Sequence, residues 1–565
     1  MLRIIFAFCV FGGLCFAWEM RILPINQAKF LVGQKFDFLV EMKNAPKNPL
    51  AVSINGVKAE EFFRKTPYIW EENGILSYRI NEVSFEKEGE FVIKAQSGQV
   101  ESLVHYEVVQ PQISKNAKNV ILLIGDGMSL QAKQMARILS KGIVEGKYKD
   151  VLAMENLDRM ALITTSGYDS LTTDSANSAS AYATGHKSVV GAIGIYENAT
   201  KDPFDDPKVE NLTEILKRSK KMQIGIVTTA SVTDATPAAF ISHTRQRFNS
   251  NRIALDLLES APDVLLGGGL RYFIPKSQAN SRRDDERNLI QELKDKGYNV
   301  VFNQKELLSK SKYSDKLAGF FHYGNLNVFL DREILKNDKV LKDFDNQPSL
   351  VEMTEIALQK LSQSPNGFFL LVEAASIDKQ LHNMDWQRAT YDTIELDKAV
   401  AKAMEFAKND KNTLVIVVAD HAHGASITGT YHEKDGKTGR EAVRVYGRAV
   451  FPTFEDKNGD GYPDNPNPEV TLAVQYANHP DYKANYHLRE IPVSPTKREG
   501  HKYIANPHSN GEEYKGNIPE SELEEVHAAD DVILMADGVG SEYFKGVMDN
   551  TEVFFGIIRA LDVEL

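Results

Sequence analysis

Hydrophobic and polar positions change their rhythm once along this chain. Between residue 21 and about residue 109, apolar runs are short and alternate with polar positions, as in Phe36-Asp37-Phe38, and turn residues separate them. A period of two predicts strands with one buried face, here over 35–43, 50–57, 75–85, 90–95 and 101–109. Asn55-Gly56 and Ser97-Gly98 have the composition of hairpin turns. Several short strands in succession predict a small β-sandwich of the immunoglobulin-like kind over 18–110. It carries a single histidine, His105, and no cluster of convergent polar groups, so it reads as a docking or spacer module of unknown partner. Residues 111–118, with Pro111 and several polar side chains, read as a linker.

After Lys118, continuous apolar runs at 120–124, 224–227, 264–266, 368–372 and 414–418 alternate with longer amphipathic helices. That is the mark of an α/β fold whose mostly parallel sheet is buried on both faces. The rhythm fails between about 427 and 520, where Pro, Gly, Asn, His and Tyr accumulate. This stretch reads as an insertion in a domain spanning 119–565.

The first residues add a compartment. Arg3, an apolar run to about Leu14 and the small-residue end at Ala17 have the layout of a secretory signal peptide over 1–17. The run is shorter than the roughly 20 residues a bilayer span needs, and no later stretch is long enough. The only cysteines, Cys9 and Cys15, would leave with it. The exported chain would then have neither disulfide nor thiolate ligand, and any metal must sit on oxygen or imidazole. With 66 Lys+Arg against 78 Asp+Glu, the net charge of −12 argues against nucleic acid as a partner. An ordinary 42% apolar, 25% charged composition argues against a disordered chain.

Ligands of open α/β sheets bind at the carboxyl ends of the strands. Four runs deliver acids there: 120–124 leads to Asp126, 368–372 to Glu373, 414–418 to Asp420-His421-Ala422-His423, and 224–227 to Asp234-Ala235-Thr236. One such acid is an ordinary turn or helix cap, but four at one edge repel unless metal ions compensate them. Asp378 and His382 share a face if their segment is helical, and Asp420-His421 offers a second carboxylate–imidazole pair. Asp and His suit Zn²⁺, while oxygen sets of Asp, Glu and Thr suit Mg²⁺. Residues 172–187, TTDSANSASAYATGHK, predict a small-residue helix from Ser175 that closes at Gly185. Ser175 reads either as a helix cap or as a nucleophilic hydroxyl in the field of the helix. Arg247 follows a predicted helical stretch and could fork onto two phosphate oxygens, with Arg245 as its competitor.

These residues resemble the alkaline phosphatase family, and closely its bacterial periplasmic branch. The matching pieces are NVILLIGDGM, TTDSANSASAYATGHKS, TDATPAAFISHTRQR, DVLLGGG, GFFLLVEAASIDKQLH, NTLVIVVADHAH and EEVHAADDV, in family order from Asn119 onward. The resemblance implies a three-layer α/β/α domain and a phosphomonoesterase acting through a phosphoserine. It implies Ser175 as nucleophile and Arg247, oriented by Asp174, as phosphate clamp. One Zn²⁺ would be held by Asp378, His382 and His527, and a second by Asp126, Asp420, His421 and Ser175. Mg²⁺ would be held by Asp126, Thr236 and Glu373. Asp234 and Lys379 match the bacterial branch, and His423 would support Asp378. His501 and His508 compete with His527, which rests on a short match beyond the insertion. Relatives commonly dimerise, which leaves a homodimer as one possible state.

The chain departs from the family's minimal pattern in its N-terminal β-module and its lack of disulfides after export. The insertion corresponds to the family's variable crown. Within it, Asp456, Asn458, Asp460 and Asp464 have the spacing of a calcium loop, with Asn467 where a bidentate Glu usually stands; a solvated acidic turn is the alternative. Two other readings stay open: a phosphodiesterase, phosphonate hydrolase or sulfatase of the same superfamily, and a catalytically inactive surface-binding protein.

Overall fold

The computed structural model describes residues 19–44, 48–110, 116–311, 315–445, 450–477, 479, 481–486, 493–500, 502–515 and 525–565. The expected leader 1–17, most of the expected linker and His501 lie outside the described residues. The chain divides into two compact units, Met1–Gln110 with Tyr196–Val209, and Pro111–Ile195 with Glu210–Leu565.

The first unit is a sandwich of two small sheets. One has the order Met20–Leu23, Phe36–Lys43, Ile75–Val83, Tyr68–Glu72; the other has Lys29–Leu31, Val100–Val109, Gly89–Ser97, Ala51–Ile54, Val57–Lys58. Alternation of the strands sends Phe38, Val40, Ile93 and Tyr106 into one shared core. Phe30, Phe36 and Phe85 pack there with ring centroids 4.4 to 5.5 Å apart. Burying each such ring contributes about 1.5–3 kcal/mol. The segment expected as one strand over 50–57 is two, folded back at Asn55-Gly56. Both of those residues have positive φ (49° and 82°), as this hairpin turn requires.

Segment Tyr196–Val209 is a finding that strand periodicity could not supply. It belongs to the first unit although the sequence reading placed it in the later domain. Val209 bridges Phe36, the Asp37 N–H donates to the Lys208 carbonyl at 2.9 Å, and Tyr196 and Val209 join the sandwich core.

The second unit is built on a ten-stranded sheet. Its order is Tyr298–Val301, Lys316–Phe320, Val264–Gly268, Gln223–Ser231, Phe368–Ala374, Asn119–Gly125, Thr413–Ala419, Val532–Gly538, Arg159–Thr164, Gly546–Asp549. Only Val532–Gly538 runs against its neighbours. Every residue of Asn119–Gly125, Phe368–Ala374 and Thr413–Ala419 is buried, which is why those strands read as unbroken apolar runs. Helices Leu130–Lys141, Leu350–Leu361 and Trp386–Asp410 pack together as one covering group; Ser175–Thr184, Ala235–Ala239 and Asn550–Leu561 pack as another. The sheet therefore lies between two helical layers.

Local chemistry sets the helix that carries Ser175. Asp174, not Ser175, is the cap: its carboxylate accepts from the Asn177 N–H at 3.1 Å, and Asn177 reciprocates onto the Asp174 N–H at 3.1 Å. Ser175 is thus the first helical residue, with its hydroxyl free of the capping role. Gly185 ends the helix at φ 76°, and an added Cβ would stand 2.7 Å from the Phe554 ring. The helix expected to lead up to Arg247 stops at Ala239. Arg247 sits instead on an irregular segment held by the Thr244–Ile193 bridge and by its own N–H on the Gly191 carbonyl at 3.0 Å.

In the insertion, Ala425–His432 pairs antiparallel with Val470–Tyr476 and with Val443–Arg444. No described helix is long and apolar enough to cross a membrane.

Candidate active site

The acid-bearing strand ends converge on one edge of the sheet. Asn119–Gly125 lies between Phe368–Ala374 and Thr413–Ala419 in register, so Asp126 and Asp420 leave adjacent strands at the same level, with Glu373 opposite Ile124 just inside its own strand. All three are buried, with 2%, 1% and 0% of their surfaces exposed. The Ser175 hydroxyl donates to Asp126 Oδ1 at 3.3 Å and lies 3.3 Å from His421 Nε2. His421 Nε2 is also 3.4 Å from Asp126 and 3.5 Å from Asp420 Oδ2. Asp420 Oδ1 is fixed by the backbone N–H groups of Gly127 and His421 at 3.0 and 2.9 Å, while its Oδ2 has no hydrogen-bond partner.

Short helix Ser376–His382 brings a second set. Asp378 Oδ1 stands 3.4 Å from His382 Nε2 and 3.3 Å from His527 Nε2, and the two imidazole nitrogens are 3.0 Å apart. Each ring is oriented through its other nitrogen: His382 Nδ1 is 2.6 Å from the Glu525 carbonyl, and His527 Nδ1 is 2.8 Å from that of Thr173. Backbone acceptors fix the tautomer and leave both Nε2 lone pairs aimed at one point, as in metal-bound histidine. Among the described residues, Asp126–Asp420–His421 and Asp378–His421–His423–His527 each place their ligand atoms within 4.8 Å of one another. Neither exposed His508 nor His382 is in these sets, and His382 joins the second through Asp378 and His527.

Arg247 supplies the positive wall. Its Nη1 donates to Asp174 Oδ2 at 2.9 Å and its Nη2 to Asp234 Oδ1 at 3.4 Å, so its plane is held by two carboxylates. Lys379 Nζ lies 2.9 Å from Asp234 Oδ2. Burial alone would raise Asp234, but Lys379 and Arg247 override it and hold the carboxyl well below its usual range. Burial would likewise raise Asp378, yet His382, His423 and His527 keep it well below the ordinary value.

At Asp420 and Glu373 the nearby His421 and Lys379 do not outweigh burial and like charge. Burial and then the Asp126 charge push Asp420 well above the carboxylate range. Burial, then Asp126 and Asp234, push Glu373 up to about 8. The Thr228 hydroxyl donates to Glu373, while Thr236 Oγ1 is buried without a partner. Uncompensated carboxylates beside orphaned oxygen and nitrogen donors fit divalent cations, and the donor chemistry of the two clusters agrees.

Glu525 is the site residue that sequence reasoning missed. Its Oε2 is 2.6 Å from His423 Nδ1, and His423 Nε2 is 2.6 Å from Asp378 Oδ1. Burial pushes Glu525 up to about 7, against the pull of His423. The one available signal was its place in EEVHAADDV, two residues before His527. The four proposed calcium-loop side chains also converge, in the insertion. Asp456 accepts from the N–H groups of Asp460 and Gly461, and the Asn458 amide donates to Asp460 and Asp464 at 3.0 and 3.3 Å.

A serine hydroxyl at a helix start, two carboxylate–imidazole clusters and a clamped arginine at the edge of a parallel sheet define a metal-dependent phosphoryl-transfer hydrolase. The sequence profile of the alkaline phosphatase family matches residues 117–563, and the chain belongs to that family. It is 31% identical over 478 residues to the alkaline phosphatase of Gadus morhua, covering 78% of this chain and 91% of that one. It is 37% identical over 348 residues to alkaline phosphatase H of Pseudomonas aeruginosa, covering 55% and 71%. The solved alkaline phosphatases of Thermus thermophilus and of the Antarctic bacterium TAB5 share its fold. Their TM-scores are 0.57 and 0.56 at 24% and 23% identity, over 81% and 80% of this chain and 93% and 100% of theirs. The protein is a phosphomonoesterase with alkaline phosphatase activity.

The raised carboxyls have a stability consequence with a definite sign. Without metal, Glu373 is protonated in the folded protein up to about pH 8 but ionises near its ordinary value when unfolded. The folded state then binds more protons between those limits, so stability falls as pH rises through them. Thermal melts of metal-free protein should show Tm falling from about pH 5 to pH 8, and divalent cations should remove that fall. A Tm of the metal-free protein that rises across this window contradicts the assignment.

Proposed function

We propose that Ser175 is the nucleophile and that the reaction proceeds through a phosphoserine. The observation that carries this reading is the Ser175 hydroxyl, 3.3 Å from both Asp126 and His421 at the start of a capped helix. Its Oγ attacks phosphorus, the ester alcohol departs, and water then attacks the phosphoserine to release inorganic phosphate and restore the serine. Asp126 Oδ1 and His421 Nε2 are the nearest acceptors for the serine proton. Arg247, fixed by Asp174 and Asp234, forks onto the equatorial phosphate oxygens as their charge grows, and the helix N–H groups add to it. Lys379 sets the charge of Asp234 beside them.

Two Zn²⁺, one on Asp378, His382 and His527 and one on Asp126, Asp420, His421 and Ser175, would supply Lewis-acid activation of the attacking and leaving oxygens. Mg²⁺ fits the oxygen set of Asp126, Thr236 and Glu373, and Ca²⁺ fits the Asp456–Asp464 loop. His423, braced by Glu525, holds Asp378 in place. The Asp234–Lys379 pair and the match to Pseudomonas aeruginosa support a bacterial periplasmic enzyme whose leader is 1–17, acting as a homodimer. Arg247 favours monoesters over diesters and sulfates. N-terminal sequencing of exported protein and sedimentation test the compartment and the dimer.

Replacing Ser175→Ala should lower turnover of an aryl phosphate monoester by at least about 10³-fold, and an unchanged rate sinks the assignment. Chelation should abolish activity, with Zn²⁺ plus Mg²⁺ restoring it and neither alone sufficing. Titration calorimetry of the Zn²⁺/Mg²⁺-loaded enzyme should show one further Ca²⁺ bound, lost in Asp460→Asn; no heat of binding removes the calcium loop.

A further inference from the structure

Arg247 lines two places. Its guanidinium meets Asp174 and Asp234 in the reaction site, and the residue also lines an open groove of ≈ 660 Å³, within the range of small-molecule sites. The groove is also lined by Arg245, Phe248, Asn249, Tyr272 and Arg282, and among its described residues there is no Asp or Glu. In a chain of net charge −12, Arg282 thus brings a cation to a groove whose described lining has no carboxylate.

Phe248 is 87% exposed, more than any other large apolar side chain described, and its ring stands 5.3 Å from the Arg247 guanidinium carbon. An exposed ring held beside the phosphate clamp offers a stacking surface that nothing in the fold requires. Arg282 is exposed, and its guanidinium has no ion pair among the described residues. The eleven-residue helix Ser250–Ser260 also begins here, its cap Asn249 lining the groove, and adds the positive end of its dipole. A planar face and unmatched positive charge, next to a site for a terminal phosphate, describe one kind of leaving group.

We propose that this groove is a leaving-group subsite for nucleotides that carry a second phosphate. The base stacks on Phe248 with Tyr272 bordering the groove, and the second phosphate pairs with Arg282 while Arg247 holds the phosphate that reacts. For adenosine 3′,5′-bisphosphate, one ester P–O bond breaks and the water oxygen ends on phosphorus. The released sugar oxygen takes a proton, giving adenosine monophosphate and inorganic phosphate. This rests on the phosphomonoesterase reading, and the substrate set separates the two.

Initial rates are compared for glycerol 3-phosphate, with neither feature, AMP, with the base only, and adenosine 3′,5′-bisphosphate, with both. Phe248→Ala should raise KM for AMP and the bisphosphate about tenfold, with glycerol 3-phosphate changed less than about twofold and Phe248→Tyr restoring the loss. Arg282→Ala should raise KM about tenfold for the bisphosphate alone, an effect that fades at high salt. Equal changes for all three substrates, or none, overturn the subsite. A wild-type enzyme inactive on glycerol 3-phosphate but active on the nucleotides contradicts a general phosphomonoesterase and leaves the groove as the source of specificity.

Discussion

Asp126, Glu373, Asp378 and Asp420 are all withdrawn from water at one edge of one sheet. Like charges at such distances repel by about 1–4 kcal/mol per pair near 4 Å, depending on the local dielectric. The protein answers part of this itself: three imidazoles surround Asp378, and Lys379 with Arg247 answers Asp234. Asp126 and Asp420 meet His421, and Glu373 accepts from the Thr228 hydroxyl, yet Asp420 and Glu373 are still driven toward protonation. Cations held there would ionise those ligands, make Ser175 more acidic and put positive charge beside it. One electrostatic deficit thus links folding, metal binding and catalysis.

The rigidity of that edge comes from the layers behind it. Strands buried along their whole length hold the acids in register, and a helix capped by Asp174 delivers Ser175 to them. Asp174 serves twice, since one oxygen caps the helix while the other holds Arg247. Ser175 and Arg247 are therefore positioned by one side chain.

Much of this was legible in the sequence because the central strands are apolar on both faces and end in acids. The pairing of Asp378 with His382 followed from helical spacing alone. The end of the sheet was less legible: edge strand Gly546–Asp549 has only two apolar residues and leaves Val547 exposed, and its neighbour Arg159–Thr164 exposes Met160 and Leu162. The path of Arg247 was misread because Ala-rich sequence favours helix, whereas the bridge from Thr244 to Ile193 draws the chain away from it. Glu525 was invisible for a related reason, since its partner His423 lies 102 residues away and burial alone gives the pair its meaning. Segment 196–209 joined the first unit through contacts with Phe36 and Asp37 that no local pattern encodes.

The most direct test is an anomalous difference map recorded at the zinc edge from crystals of the metal-loaded enzyme. The account predicts one peak among Asp378, His382 and His527, a second beside Asp126, Asp420, His421 and Ser175, and no zinc signal between Thr236 and Glu373. A map without peaks at either cluster, from crystals that still hydrolyse phosphate monoesters, would contradict it.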